Sequence, residues 1–231
     1  MRIDKFIADS LNVSRKDAKI YLKKNLIKVN NSIITSDSYQ VNETKDIITY
    51  KDNQIFYEKY IYLLMHKPAN YLCANNDNLH RTVMELVPQE YFVKDLAICG
   101  RLDLDTEGLL ILTNDGQFVH EVTSPKHNVE KKYYFKYEGT LVDDAIHLLQ
   151  QGVEIDDYKT KPATLELLSN NEGYLTISEG KFHQVKKMIQ KVGGKITYLK
   201  RVSIGELVLG DLEIGHVRKL AQFEVSLIKG E

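Results

Sequence analysis

The sequence predicts an α+β protein in two parts. Residues 3–24 place apolar side chains at helical spacing ahead of short alternating segments, and beyond residue 58 strand-like stretches are interspersed with helical ones. Neither part holds an internal repeat or a low-complexity tract, and 231 residues suffice for one large or two smaller domains with a true core.

In the first part Ile3, Phe6, Ile7 and Leu11 share helical spacing, and Ser14 offers an N-cap to RKDAKIYLKK, where Ala18, Ile20 and Leu22 supply apolar bulk. LIKVNNSII then alternates around Asn30 and Asn31, residues that tolerate the positive φ of a hairpin turn. DIITY, residues 46–50, reads as a closing strand, and KDNQIFYEKY as a polar stretch ending the unit. The boundary is expected near residue 58, giving domains 1–58 and 59–231.

In the second part YIYLLMHKPANYLCA gives a strand broken by Lys67, Pro68 and Asn70, LLILT a short buried strand, and Asp115 with Gly116 a turn. KKYYFKYEG alternates with period two: Tyr133, Phe135 and Tyr137 on one face, Lys132, Tyr134 and Lys136 on the other. Burial statistics alone make the aromatic face core. VDDAIHLLQQ is a helix stopped at Gly152, GYLTISEG a strand, and HQVKKMIQKVGG a helix stopped by Gly193 and Gly194.

Hydrophobic residues at 43% and charged residues at 27% are ordinary for a soluble protein, and the formal charge of −1 says little as a total. Its distribution says more. Over the first thirty residues Arg2, Lys5, Arg15, Lys16, Lys19, Lys23, Lys24 and Lys28 face only Asp4, Asp9 and Asp17. Cys73 and Cys99 lack metal-ligand spacing, the N-terminus lacks the apolar core of a signal peptide, and no run approaches the roughly 20 apolar residues of a membrane span. A reduced, cytoplasmic protein that keeps no contact with membrane is expected.

GRLDLDTEGLLILTNDG, residues 100–116, sets Asp103, Asp105 and Glu107 on alternate positions before Gly108, the opening of a calcium loop. Counting removes that reading. The twelfth position falls on Asn114 where a bidentate Glu is needed, and the ninth on Ile111, which has no side-chain oxygen. A polar turn whose acids are merely solvated is the plain alternative. Against it, a carboxylate just ahead of a wholly apolar strand can be held on a rigid sheet edge, where position serves chemistry.

The same stretch closely resembles the signature of pseudouridine synthases of the RsuA type. RIDKFIADSLNVSRKDAKIYLKKNLIKVN is similar to the small alpha-L RNA-binding domain of those enzymes, MHKPANYLCA to their K-P-x-G strand start, TSPKHNVEKKYYFKY to their second motif and LTISEGKFHQVKKMI to their third. The resemblance, four ordered motifs over nearly the whole chain, implies an alpha-L domain followed by a catalytic domain with a central, mostly antiparallel sheet flanked by helices.

It also implies roles. Asp103 stands at the catalytic Asp, Tyr133 at the active-site Tyr that stacks on uracil, and Lys186 at the basic residue that pairs with the catalytic Asp. From the residues alone Lys186 could equally be a solvated helix face, as Lys187 and Lys191 are expected to be. A base stacked in RNA must be flipped out to be reached, and Arg101 resembles the residue that enters the stack. Phosphate contacts are expected from Arg15, Lys16, Lys19 and Lys23 on the basic helix, joined by Lys181, Lys200 and Arg201. The family's Gly in K-P-x-G is Asn70 here, which still tolerates the left-handed conformation. His183 is expected to be a polar residue at a helix start, and the calcium-like spacing of Asp105 and Glu107 a coincidence.

The expected activity is isomerisation of a uridine to pseudouridine in 16S ribosomal RNA, free or within an assembly intermediate, by a monomer using neither metal nor cofactor. The absence of a long basic C-terminal tail, present on some large-subunit relatives, favours the small subunit. A 23S rRNA enzyme and a non-catalytic RNA-binding assembly factor are the alternatives.

Overall fold

The computed structural model describes residues 1–93, 95–169 and 171–229. They fall into two compact units, Met1–Tyr60 and Ile61–Glu231.

The first unit contains α1 (Ile3–Ser10), α2 (Arg15–Lys23), β1 (Ile27–Val29), β2 (Ser32–Ile33), β3 (Ile48–Tyr50) and β4 (Asn53–Ile55), with the sheet ordered β2-β1-β3-β4. The Ser14 hydroxyl accepts the Asp17 N–H at 3.1 Å, capping α2. Ile3, Phe6, Ile7, Ala18 and Leu22 bury their side chains with Ile27, Val29 and Ile48. Asn30 and Asn31 take φ of 49° and 68° in the β1–β2 turn. The stretch after Tyr50 differs from its reading as a polar tail. Lys51 and Asp52, at φ of 48° and 66°, turn the chain back so that β4 pairs with β3. Asp52 tolerates this conformation but Lys51 does not favour it, so the hairpin is only weakly marked in the sequence.

The second unit comprises β5 (Tyr62–Lys67), β6 (Ala97–Cys99), β7 (Glu107–Thr113), α3 (Gly116–Thr123), β8 (Lys131–Gly139), α4 (Ala145–Gln151), β9 (Glu154–Ile155), β10 (Tyr158–Lys159), β11 (Thr164–Leu167), β12 (Glu172–Ile177), α5 (Gln184–Lys191), β13 (Gly194–Ile204), β14 (Leu207–Val208), β15 (Val217–Lys219) and α6 (Gln222–Lys229). The main sheet runs β11-β12-β8-β13-β7-β5-β15, with β14 added to β13 and β6 to β7; among these strands only β13 and β7 are parallel.

Successive residues of β7 feed opposite faces. Leu110 and Leu112 pack with Phe135, Met188 and Ile189 on one side, while Leu109 and Ile111 pack with Phe118, Val122 and Ile228 on the other. Burial on both faces explains why LLIL is apolar throughout instead of alternating. The expected turn at Asp115 and Gly116 opens a helix: Asp115 Oδ1 accepts the N–H groups of Gln117 and Phe118 at 3.1 and 3.2 Å, capping α3, and Oδ2 accepts the Tyr62 hydroxyl at 2.7 Å.

Gly108 permits the parallel pairing. It stands opposite Arg201 at φ 112°, and a Cβ there would meet the Arg201 carbonyl oxygen at 2.2 Å. Backbone approach at this point brings β13 against the end of the loop that carries Asp103. Among the described residues no helix is long and apolar enough to cross a membrane.

Candidate functional site

Residues 100–106 link β6 to β7 as a loop fixed almost wholly through its backbone. Gly100 turns the chain at φ 76°, Leu102 is buried with its N–H directed at Cys73 Sγ at 3.4 Å, and the Thr106 N–H closes a turn onto the Asp103 carbonyl at 3.1 Å. Beneath the loop lies Lys67, expected only to break a strand. It is fully buried, and its ammonium donates to the carbonyls of Pro68, Leu104 and Thr106 at 3.0, 3.2 and 2.8 Å. Asn70, left-handed at φ 67°, donates its N–H to the Leu104 carbonyl at 2.8 Å. Burial pushes Lys67 below the ordinary lysine range, against the opposing pull of Asp105, Asp103 and Glu107.

Asp103 emerges from this loop with its side chain 24% exposed and its Oδ2 3.3 Å from Lys186 Nζ on α5. The pairing implied by the resemblance is present, but Lys186 lies closer to a second acid. Its ammonium is 2.6 and 2.8 Å from the two carboxylate oxygens of Asp105. Burial raises the Asp105 carboxyl and the bond from Lys186 outweighs it, leaving Asp105 below the usual carboxylate range. Asp103 and Asp105 thus lie around one ammonium. Glu107 turns elsewhere and accepts the Tyr198 hydroxyl at 2.6 Å.

Tyr133, on β8, is buried but lines the same cleft, and its hydroxyl accepts Arg201 Nη1 at 3.4 Å. Arg201 is a correction. It was expected on the RNA-facing surface, yet it is 3% exposed, with Nε donating to the Leu109 carbonyl at 2.8 Å. β13 lies between β8 and β7, so alternate side chains point under the sheet, and charge alone does not reveal which ones. Lys200, its neighbour, remains partly exposed.

The cleft encloses about 120 Å³ and is lined by Arg101, Asp103, Tyr133, Lys181, His183 and Arg201 among others. Arg101 and Lys181 are exposed. His183, expected as a helix-start polar group, occupies the N-cap position of α5 at φ 53° without capping it, and its Nε2 lies 3.7 Å from Asp103 Oδ1.

Lys131, buried in the wall, donates to the carbonyls of Val122 and Val129 at 3.0 and 2.6 Å. Burial, helped by the charge of Arg201, pushes its pKa from 10.5 down to about 8. The unfolded chain thus binds this proton more readily than the folded one, a penalty fully present below pH 8 and removed as pH rises toward 10.5. Relative to Lys131→Met, wild type should gain on the order of 2 kcal/mol between pH 7.5 and 9.5, read from urea unfolding midpoints.

The expected docking cations of the first unit divide into two kinds. Arg15 lies 3.4 Å from the buried Asp4, and Lys19 lies 2.8 Å from Asp37. Lys16 and Lys23 are exposed without a carboxylate partner among the described residues.

Residues 61–191 match the family described as RNA pseudouridylate synthase, and residues 1–48 match the S4 domain. The ribosomal small subunit pseudouridine synthase A of Vibrio cholerae is 38% identical over 99% of this chain and 99% of its own. The Escherichia coli protein of the same name is 37% identical over 99% and 100%, and the uncharacterized RNA pseudouridine synthase YtzG of Bacillus subtilis is 38% identical over 99% and 98%. A crystal structure of a pseudouridylate synthase superposes with a TM-score of 0.69 at 35% identity, covering 99% of both chains.

Proposed function

The chain belongs to the RNA pseudouridylate synthase family, and from that premise we propose that it converts one uridine of small-subunit (16S) ribosomal RNA to pseudouridine with Asp103 as the reacting carboxylate. It is a pseudouridine synthase, an isomerase, preceded by an RNA-binding S4 domain. The observation that carries the role of Asp103 is its meeting with Lys186 at 3.3 Å in the cleft that Tyr133 also lines. The small-subunit choice rests on full-length similarity to enzymes named for that subunit.

The isomerisation breaks the N1–C1′ bond, turns the uracil and joins C5 to the same C1′; C5 gives up a proton and N1 gains one. Atoms and net oxidation state are unchanged, so the reaction calls for no electron carrier. Lys186 on Oδ2 leaves Oδ1 of Asp103 as the freer oxygen for attack on the nucleotide or for proton removal. Tyr133 offers its ring and hydroxyl to the detached base. Arg101, exposed beside the cleft, fills the gap left in the RNA by the flipped nucleotide.

The test is tritium release from 16S and 23S transcripts made with uridine tritiated at C5. Release from 16S RNA alone is expected. Release confined to 23S RNA would overturn the subunit assignment, and RNA binding without release from either would favour the assembly-factor alternative.

Docking through the S4 domain is expected to depend on Lys16 and Lys23, since Arg15 and Lys19 already face carboxylates. Replacing Lys16 and Lys23 by Gln should flatten the slope of log affinity against log salt by about 1 to 2 units. A slope unchanged in a filter-binding titration would remove these two lysines from the docking surface.

A further inference from the structure

The turn between β12 and α5 presents an aromatic surface for which the chemistry above has no use. Phe182 is 72% exposed. The His183 ring lies stacked on it, centroids 3.8 Å apart and planes inclined by 19°, and His183 in turn stands 3.7 Å from Asp103. Two stacked rings therefore lead from the reacting carboxylate out to the surface.

This turn is held stiffly. Gln184 is buried; its Nε2 donates to Glu179 Oε1 at 2.8 Å and its Oε1 accepts the Lys181 N–H at 2.9 Å. His183 adopts φ 53°, uncommon for a residue with a Cβ. With that backbone its ring lies flat on Phe182, and it makes no cap bond to α5. One exposed apolar side chain is ordinary on any protein. An exposed ring stacked on a second ring and pinned beside a cleft is a surface with a preferred partner.

Charge indicates which partner. Lys181 is exposed next to Phe182, whereas Lys187, 5.3 Å from the Phe182 ring centroid, already pairs with Asp156 and leaves Lys181 as the cation for a phosphate. An aromatic face with a flanking cation suits single-stranded nucleic acid, whose bases stack while a phosphate meets the lysine. A nucleotide flipped into the cleft also leaves its neighbours unstacked within one or two nucleotides of this ledge.

Resting on the function proposed above, we propose that Phe182 and His183 form a stacking platform for the base of a nucleotide adjoining the flipped uridine. The platform binds without reading sequence, because every base has a π face. It contributes to RNA affinity and leaves the bond-breaking steps to Asp103.

The experiment measures tritium release under single-turnover conditions over a range of concentrations of the 16S transcript labelled at C5. Phe182→Leu keeps the apolar bulk and loses the ring, so half-saturation should rise about tenfold with the saturating rate unchanged. Phe182→Tyr should bind like wild type. Unchanged half-saturation in Phe182→Leu, or the same rise in Phe182→Tyr, would overturn the platform. A short single-stranded RNA carrying 2-aminopurine reads stacking without turnover. Quenching by wild type and Phe182→Tyr, but not by Phe182→Leu, is expected even if the uridine-isomerising reading were to fail; equal quenching by all three counts against the platform.

Discussion

Asp103→Asn is expected to bind 16S RNA as wild type does and to release tritium at least ~10³-fold more slowly. The amide preserves shape and polarity but supplies neither a nucleophile nor a base. The loop should survive the change, because it is held by the buried Leu102 and by the carbonyls bound to Lys67, not by the Asp103 side chain. Lys186 also keeps its shorter contacts to Asp105. Single-turnover tritium release beside a filter-binding titration separates the two quantities. Equal release from both proteins would remove Asp103 from the chemistry.

Lys67→Met should cost both stability and rate although it replaces no cleft-lining residue. The ammonium satisfies three carbonyls, those of Pro68, Leu104 and Thr106, on the two segments that meet under the loop. Methionine fills similar space and donates nothing. Leaving buried acceptors without a donor costs about 1–3 kcal/mol each, and removing the buried ammonium relieves its own desolvation penalty, so a net loss of roughly 2–4 kcal/mol in urea unfolding of the second unit is expected. The Asp103 loop would then settle differently, and a displacement of about 1 Å costs on the order of 10²-fold in rate. Protein that remains folded by near-ultraviolet circular dichroism yet releases tritium at the wild-type rate would show that Lys67 supports the fold without positioning Asp103.

Most secondary structure was legible because its signals are local. Ser14, the Asn30–Asn31 turn, the apolar run of β7 and the glycines ending α4 and α5 each act within a few residues. α3 was missed because its cap, Asp115, stands in a D-G pair that also reads as a turn, and the cap takes effect only with the N–H groups that follow. The β3–β4 hairpin is weakly signalled because Lys51, at the first turn position, adopts a positive φ that its residue type does not favour, leaving Asp52 as the turn former.

Ordered motifs single out Asp103, Tyr133 and Lys186; the structure places Asp103 and Tyr133 on one cleft, from a loop and a strand, and Lys186 of α5 against Asp103. What motif order did not carry was the direction of side chains within paired strands and across turns. Arg201 and Lys67 are cations in sequence, but sheet pleat and depth make one a buried neighbour of Tyr133 and the other a backbone anchor. Asp105 looked idle until α5 brought Lys186 to it from 81 positions away.

The sequence by itself determined the family, the order of the two parts, most helices and strands, and the acid proposed to react, because each is written in local pattern or in motifs of fixed spacing. Only the tertiary structure decided which cations are exposed and which are buried, which acid holds Lys186 most closely, and that His183 and Phe182 stack outward from Asp103. Those outcomes depend on the crossing of β13 beside β7, permitted by a glycine at position 108, and on the left-handed turn at residue 183. Both bring together groups whose separation along the chain hides their proximity in space.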